Sequence, residues 1–275
     1  ILEELGAVEI TAKKMISLFG IKRIQLGLLI AGMCISFSLF FDVAFILVIP
    51  IILAVAKELK LDKIYLALPA SIGVLTIHAL FPPHPSPSII TKTFHLNMAE
   101  VFFYGLIVAI PTAIIGGLLL TNSKMVQTKP IVQTEQNNIS VLKIDKQLMS
   151  SSFAIILMLL PVILITIPTI ALGIKNLPSS LKDILTIISN PVTALIISLL
   201  IAIWKLMTVK HLRISSISPL LSQSIKTIAV VLLINGAAGG LKQVLVDSKV
   251  TDEIVQITSG MNISPILISF FVAAI

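Results

Sequence analysis

The chain has 275 residues, of which 56% are hydrophobic and only 12% are charged, about half the charged share that is usual in soluble domains. Its mean hydropathy is +1.07, so it lacks the polar residues that would cover a soluble surface. This composition excludes an ordinary cytoplasmic enzyme, a disordered chain and a nucleic-acid-binding domain. The apolar runs are long and unbroken rather than alternating, which predicts an all-α polytopic membrane protein and not a membrane barrel.

Seven apolar blocks are predicted to form the membrane helices: residues 24–56, 64–81, 98–121, 151–174, 184–207, 227–246 and 263–275. Residues 1–23 are expected to form an amphipathic helix or loop that leads into the membrane. The first block would be about 50 Å long as one helix, so we expect either two legs with a break near Asp42 or one steeply tilted helix. The last block is too short to cross a bilayer and the chain starts at Ile1, so we expect a fragment that lacks both ends.

Basic residues concentrate in three connections, residues 57–63, 122–150 and 205–213. Cytoplasmic loops carry the excess of Lys and Arg in membrane proteins, so these three connections are predicted to face the cytoplasm. We therefore expect a single transmembrane transporter domain over residues 1–275, with residues 122–150 as a polar cytoplasmic loop. The single cysteine, Cys34, permits no internal disulfide, and the sequence contains no recognisable motif for a metal, a cofactor or an enzyme active site.

Asp42 lies inside the first apolar block. An ionisable group at membrane depth costs at least about 2.5 to 3.5 kcal/mol, so it is expected to face the protein interior and to have a partner. One interpretation is a carboxylate that couples transport to protons or substrate. The other is the N-cap of a helix at the break, where the carboxylate would satisfy free N–H groups; the two interpretations are compatible.

Residues 82–87 read Pro-Pro-His-Pro-Ser-Pro. Four prolines in this stretch predict an extended segment in place of a helix. His84 would then be held rigidly, where it could bind an anionic substrate or relay a proton. The alternative is a solvent-facing histidine in a rigid external turn. Ser86 adds a hydroxyl to the same segment.

Residues 235–240 read Asn-Gly-Ala-Ala-Gly-Gly within an apolar block. Glycines let a backbone bend and approach a ligand closely, so a third helix break is predicted here. Such a break suits an anion, because free N–H groups and the helix dipole point at the ligand. Lys242 and Asp247 follow on the next turns. The alternative is tight helix packing through small residues, which is also our interpretation of Gly116 and Gly117.

The remaining histidines are weaker candidates. His78 lies in an apolar block and is interpreted as a hydrogen-bonded structural residue. His95 and His211 are interpreted as interface or loop residues.

Three of these stretches together resemble the gluconate permease family of proton symporters. Residues 40–45, Phe-Phe-Asp-Val-Ala-Phe, are similar to a family motif that usually has Glu and Gly where Asp42 and Ala44 stand. Residues 82–87 resemble the family's Pro-Pro-His-Pro-Gly-Pro, with Ser86 in place of the glycine. Residues 239–248 are similar to the family's glycine-rich segment that ends in Val-Asp-Ser. The matches keep their family order and cover nearly the whole chain.

The resemblance implies a multi-pass carrier of the bacterial inner membrane that takes up gluconate or a related sugar acid with protons. Its partners would be a small anionic substrate, protons and the lipid bilayer, with no nucleic acid, no cofactor and no enzymatic activity; a homo-oligomer is left open. The alternatives are a carrier for another small hydroxy or amino acid, such as D-serine or glycerate, and a channel. The residues predicted to serve substrate binding or coupling are Asp42, His84, Ser86, Asn235, Gly236, Gly239, Gly240, Lys242 and Asp247.

Overall fold

A computed structural model describes residues 1–123, 149–174, 177–259 and 264–274 of the chain. The regular elements in these ranges are all helices, which confirms the predicted all-α class. The chain divides into two compact units, Ile1–Leu212 and Arg213–Ile275, and each is described by itself. Most of the predicted polar loop at residues 122–150 lies outside the described residues, so this loop, like the single transporter domain, stays a prediction.

The first unit contains nine α-helices in its described part. They are α1 (Ala7–Phe19), α2 (Ile24–Ser36), α3 (Phe41–Leu59), α4 (Lys63–Leu80), α5 (Pro85–Thr93), α6 (Met98–Thr112), α7 (Ser151–Leu172), α8 (Ser179–Ser189) and α9 (Pro191–Lys210). A π-helical stretch, Ala113–Leu119, continues α6. The first apolar block therefore forms two helices, α2 and α3. This agrees with the expectation of two legs and not with that of one steeply tilted helix.

Four helical stretches among the described residues are long and apolar enough to cross a membrane: Lys63–Thr93, Met98–Leu119, Ser151–Leu172 and Pro191–Lys210. A fifth arises if α1 and the following residues, Ile21–Ser36, count as one span bent by 105°. Many large apolar side chains on α6 and α9 are exposed, as expected of helices that face lipid or other transmembrane helices. The chain is thus a multi-pass membrane protein.

The predicted fifth block, residues 184–207, divides into two helices instead of forming one. α8 ends at Ser189, and α9 begins at Pro191 after Asn190, whose side chain accepts a hydrogen bond from the backbone N–H of Val192. Asn is a favoured N-cap residue, and Pro is favoured in the first turn because it needs no N–H partner there. The Asn190-Pro191 pair could therefore have been used to predict the boundary between α8 and α9 from the sequence.

α1 is a buried helix that bends sharply into α2 at Gly20. The backbone of Gly20 has φ 67°, a left-handed value that glycine adopts without strain. One face of α1, including Val8, Ile10 and Ile16, is buried, and α1 packs on both α2 and α7. The predicted helix at the start of the chain is confirmed, and it belongs to the core of the unit.

α2 and α4 form the closest helix pair of the unit, and glycines on each helix make this possible. A Cβ on Gly32 of α2 would overlap the carbonyl oxygen of Ala70, and a Cβ on Gly73 of α4 would overlap that of Leu29. Small residues at such positions let the two backbones approach closely in membrane proteins. The pair brings the C-terminal end of α2 beside the last turns of α4, where the Ser36 hydroxyl donates to the Val74 carbonyl at 2.9 Å.

The interpretation of Gly116 and Gly117 as packing residues is confirmed. A Cβ on Gly116 would lie 3.3 Å from a side-chain carbon of Ile72, and one on Gly117 would overlap the side chain of Leu29. The π-helical stretch therefore lies directly against α2 and α4.

The second unit is helical over its described residues. Its helices are α10 (Ile217–Asp247), α11 (Val250–Ser259) and α12 (Pro265–Ala274).

Candidate substrate and coupling site

The first helix break separates α2 from α3 and contains the predicted carboxylate. α2 ends at Ser36, and α3 begins at Phe41 after Phe40, which is extended with φ −61° and ψ 152°. The break near Asp42 is therefore confirmed. Phe40 occupies the N-cap position, so the alternative in which Asp42 is the N-cap residue is wrong. Asp42 lies in the first turn of α3 with its side chain exposed, so the described residues do not give it the expected interior position. Free N–H groups and the helix dipole favour a negative charge there.

The second break lies between α4 and α5 and is shorter than predicted. α4 ends at Leu80, and α5 begins at Pro85, so Ser86 and Pro87 stand in the first turn of a helix and not in an extended segment. The sequence interpretation was wrong here because proline disrupts a helix only beyond its first turn; at the start, its fixed φ fits and its missing N–H has no partner to lose. The Ser86 side chain is exposed.

His84 joins the two breaks by a buried hydrogen bond. It stands just before α5, its side chain is only 4% exposed, and its Nε2 lies 2.8 Å from the backbone oxygen of Ser36. The carbonyls in the last turn of a helix have no partner inside that helix, so His84 caps the C-terminal end of α2. The alternative of a solvent-facing histidine in an external turn is wrong.

Rings from both breaks form a cluster with His78, which lies in the last turn of α4. The centroids of the His78 and His84 rings are 4.6 Å apart. The ring of Phe40 lies 6.2 Å from His78 and 6.0 Å from His84, and the ring of Phe41 lies 6.5 Å from His78. Asp42 follows Phe41 directly, in the first turn of α3. The structure thus places His78 and His84 side by side, with Phe41, the residue before Asp42, beside His78.

His78 is the residue that the sequence interpretation underrated. We expected a hydrogen-bonded structural histidine, yet its Nδ1 is buried and has no hydrogen-bond partner in the described part of the chain. A buried polar atom without a partner is unusual and calls for an explanation by strain, function or a bound group. The available signal was its position, because His78 and His84 flank the two prolines that interrupt the helix.

The third predicted break, at the glycines, is absent. α10 runs without interruption from Ile217 to Asp247 and contains Gly236, Gly239 and Gly240 within its helical span. Glycine in a helix costs about 1 kcal/mol relative to alanine, but breaking the helix in an apolar stretch would leave several backbone groups without partners, at a higher cost each. A Cβ built on any of the three would meet no atom within 4 Å, so the described residues show no tight packing there either.

The side chains that follow the glycines are exposed in the second unit. Lys242 is exposed, and the side-chain amide of Gln243 donates to Asp247 at 2.8 Å. The hydrogen bond between Gln243 and Asp247 thus engages one oxygen, Oδ1, of the Asp247 carboxylate. The side chain of Asn235 lies outside the described part of the structure.

Comparison with known proteins places the chain in a family. The model of the GntP permease family matches residues 1–275. The chain belongs to the GntP family of permeases. A permease named YojA from Bacillus subtilis (strain 168), whose function is uncharacterised, is 34% identical over 266 residues, which are 95% of this chain and 60% of that protein.

Two further relatives in the GntP family carry substrate names. A gluconate permease of Bacillus subtilis (strain 168) is 31% identical over 98% of this chain and 62% of its own length. The Gnt-II system L-idonate transporter of Escherichia coli (strain K12) is 30% identical over 100% of this chain and 62% of its own length. The chain therefore spans about three fifths of the length of these relatives. The search of solved structures finds no significant match.

Proposed function

We propose that the complete protein is a secondary active transporter that takes up gluconate or a related sugar acid with protons across the bacterial inner membrane. The observation that carries this proposal is the family match over the whole chain. Relatives named as a gluconate permease and an L-idonate transporter support a sugar-acid substrate. Both names refer to small hydroxylated anions, so the shared chemistry is a carboxylate with several hydroxyl groups.

The helix break at Asp42 is where we propose that substrate and proton meet. The first turn of α3 offers free N–H groups and the positive end of a helix dipole, which attract an anion. Asp42 places a negative charge at the same point, so an anionic substrate is repelled until that charge is balanced. A proton bound at the site supplies the balance. Asp42 is therefore the first candidate for coupling, and His84 holds the neighbouring break in place beside it.

Other predicted residues keep a place in the proposal as substrate contacts. Ser86 offers an exposed hydroxyl close to His84 in the chain, suited to a substrate hydroxyl. In the second unit, Lys242 is exposed and remains a candidate residue. Its candidacy rests on the resemblance of residues 239–248 to the family's glycine-rich segment.

The experiment is uptake of radiolabelled gluconate into proteoliposomes that contain the complete protein, with an imposed pH gradient that is acid outside. We expect accumulation against a gluconate gradient, which an Asp42→Asn variant loses. Asp183→Asn is the matched control, because Asp183 is an exposed carboxylate on α8, and we expect it to behave as wild type. Uptake that is indifferent to the pH gradient, or unchanged by Asp42→Asn, contradicts the coupling proposal.

A counterflow assay separates a carrier from a channel in the same vesicles. Unlabelled gluconate loaded inside should drive transient accumulation of labelled gluconate, which a channel cannot produce. Unlabelled L-idonate, glycerate and D-serine added as competitors then rank the substrate classes. Strong competition by D-serine and none by L-idonate would replace the sugar-acid assignment with an amino-acid one.

A further inference from the structure

His78 presents a buried nitrogen with which no described residue forms a hydrogen bond. The residue lies in the last turn of α4, its side chain is half-buried, and its Nδ1 is enclosed with no hydrogen-bond partner among the described residues. That nitrogen carries either a lone pair that can take a proton or an N–H that can donate, depending on the tautomer. Because native proteins seldom leave such an atom unpaired, the geometry points to a group that changes its protonation or binds a ligand.

His84, its neighbour, uses its Nε2 in a hydrogen bond to the backbone. A carbonyl oxygen only accepts, so the 2.8 Å contact with the Ser36 oxygen requires His84 Nε2 to carry the hydrogen. The neutral form of His84 is therefore the Nε2–H tautomer, and the side chain is buried, with 4% exposed. Two imidazolium rings with centroids 4.6 Å apart would repel each other strongly. The pair can therefore hold one additional proton, and the less buried ring is the better place for it.

Asp42 supplies the charge that favours a cation on His78. It stands in the first turn of α3, next in the chain to Phe41, whose ring lies 6.5 Å from the ring of His78. The other ionisable side chains on the helices that pack against α4 are Cys34 on α2, Lys57 and Glu58 in the last turn of α3, Lys92 on α5, and Glu100 and Tyr104 on α6. The first and last turns of the 19-residue helix α3 are about 25 Å apart, which removes Lys57 and Glu58 from the neighbourhood.

We propose that His78 is the proton-binding residue of this site, with Asp42 as its counter-ion and His84 as a positioning residue. This inference rests on the proposed function, and it assigns the transported proton to Nδ1 of His78. A proton from the outer solution adds to the free lone pair of neutral His78 and forms an imidazolium. The summed charge of Asp42 and His78 changes from −1 to 0, so the repulsion of an anionic substrate ends.

Proton and substrate then bind cooperatively. The imidazolium attracts the substrate carboxylate, and by linkage the bound carboxylate raises the affinity for the proton by the same factor. Release of the proton on the cytoplasmic side restores the net negative charge, which expels the substrate. His84 takes no part in the titration; its bond to Ser36 keeps the His78 ring facing the break.

The test is gluconate binding to the complete protein in nanodiscs, measured by calorimetry between about pH 5 and pH 9, the range that brackets histidine titration. For wild type, we expect the Kd to rise about tenfold per pH unit above the transition, as linkage of one proton requires. His78→Gln should bind weakly with no pH dependence. His84→Gln, whose amide can replace the Nε2 donor, should keep the wild-type slope. His211→Gln is the control, because His211 is exposed at the end of α9.

A His78→Gln protein that keeps the wild-type slope overturns the assignment, and so does a flat profile in His84→Gln. If His78→Gln does not fold, ¹⁵N NMR of histidine side chains in the wild-type protein decides the question. We expect His84 to remain in the Nε2–H form across the range while His78 titrates; titration of His84 instead refutes the proposal. Wild-type protein that binds no gluconate at any pH refutes the proposed substrate, and the NMR titration still tests His78.

Discussion

Replacing His84 with leucine tests whether this side chain caps the broken end of α2. Leucine keeps a comparable apolar volume but removes the Nε2–H that donates to the Ser36 carbonyl at 2.8 Å. Ser36 is fully buried, and its carbonyl belongs to the last turn of the helix, where no backbone N–H is available. The carbonyl would therefore be left without a donor in an environment that supplies none.

The expected cost follows from that unsatisfied group. Leaving one buried acceptor unpaired lowers the free energy of unfolding by about 1–3 kcal/mol. Each kcal/mol lowers the Tm by about 2–4 °C in proteins of 150–250 residues and by less in larger ones, so we expect a drop of a few degrees. His84→Gln should lie close to wild type, because its amide N–H can reach the same carbonyl.

The assay is thermal unfolding of the purified complete protein in one detergent, at one scan rate, followed by intrinsic fluorescence. The matched comparison is between His84→Leu and His84→Gln, since both remove the imidazole and only one removes the donor. Equal midpoints for the two variants would refute the capping argument, even if both were less stable than wild type. A low midpoint for both would indicate that ring packing, and not the hydrogen bond, is what stabilises the break.

Two further predictions concern packing and charge in the first unit. Gly73→Ala should destabilise the protein by about 1–3 kcal/mol, because its methyl group would meet the Leu29 backbone, whereas Gly116→Ala meets only a side chain and should cost less; thermal midpoints in the opposite order would contradict this. The hydrogen bond and the charge of Lys210 lower the pKa of Glu4, so their contribution is complete at neutral pH and is lost as the pH falls through that lowered pKa. Since the side chains of Lys210 and Glu4 are 31% and 45% exposed, Lys210→Met should cost less than about 1 kcal/mol at neutral pH, with no difference from wild type in acid; a larger loss, or one that grows in acid, would contradict the assignment.

The first helix break could be predicted from the sequence, as one of two expectations, because the length of the apolar block and the cost of Asp42 both favoured it. Residues 24–56 are too long for one crossing, and Asp42 is too costly inside a continuous apolar helix. Both arguments use the bilayer as solvent, so they hold without knowledge of packing. The all-α class follows from the same reasoning.

The glycine segment shows where sequence reasoning was too permissive. Gly236, Gly239 and Gly240 allow a bend but do not require one, and the backbone hydrogen bonds of an apolar helix oppose it. The prolines at residues 82–87 were misread for the opposite reason, because the rule against proline applies to a helix interior and not to its first turn. The glycines lie inside an apolar helix and the prolines lie at the start of one. In both cases, the position of the residue in the helix decided whether the helix was interrupted.

The contact between His84 and Ser36 depends on tertiary structure and could not be obtained from spacing alone. It arises because α2 and α4 pack closely through Gly32 and Gly73, which brings Ser36 within reach of the segment that follows α4. The sequence placed Asp42 and His84 in separate breaks, and nothing in it states that the two breaks meet. The site is therefore a product of helix packing, while its individual residues were visible beforehand.

The central claim is that protons enter with the sugar acid, and the most direct measurement follows the proton itself. Proteoliposomes that contain the complete protein and an internal pH-sensitive dye are given gluconate outside, with no pH gradient imposed and with valinomycin and K⁺ present to prevent charge build-up. The account predicts internal acidification that begins with gluconate addition, saturates with gluconate concentration and is lost in Asp42→Asn. Entry of labelled gluconate with no change in internal pH would contradict it.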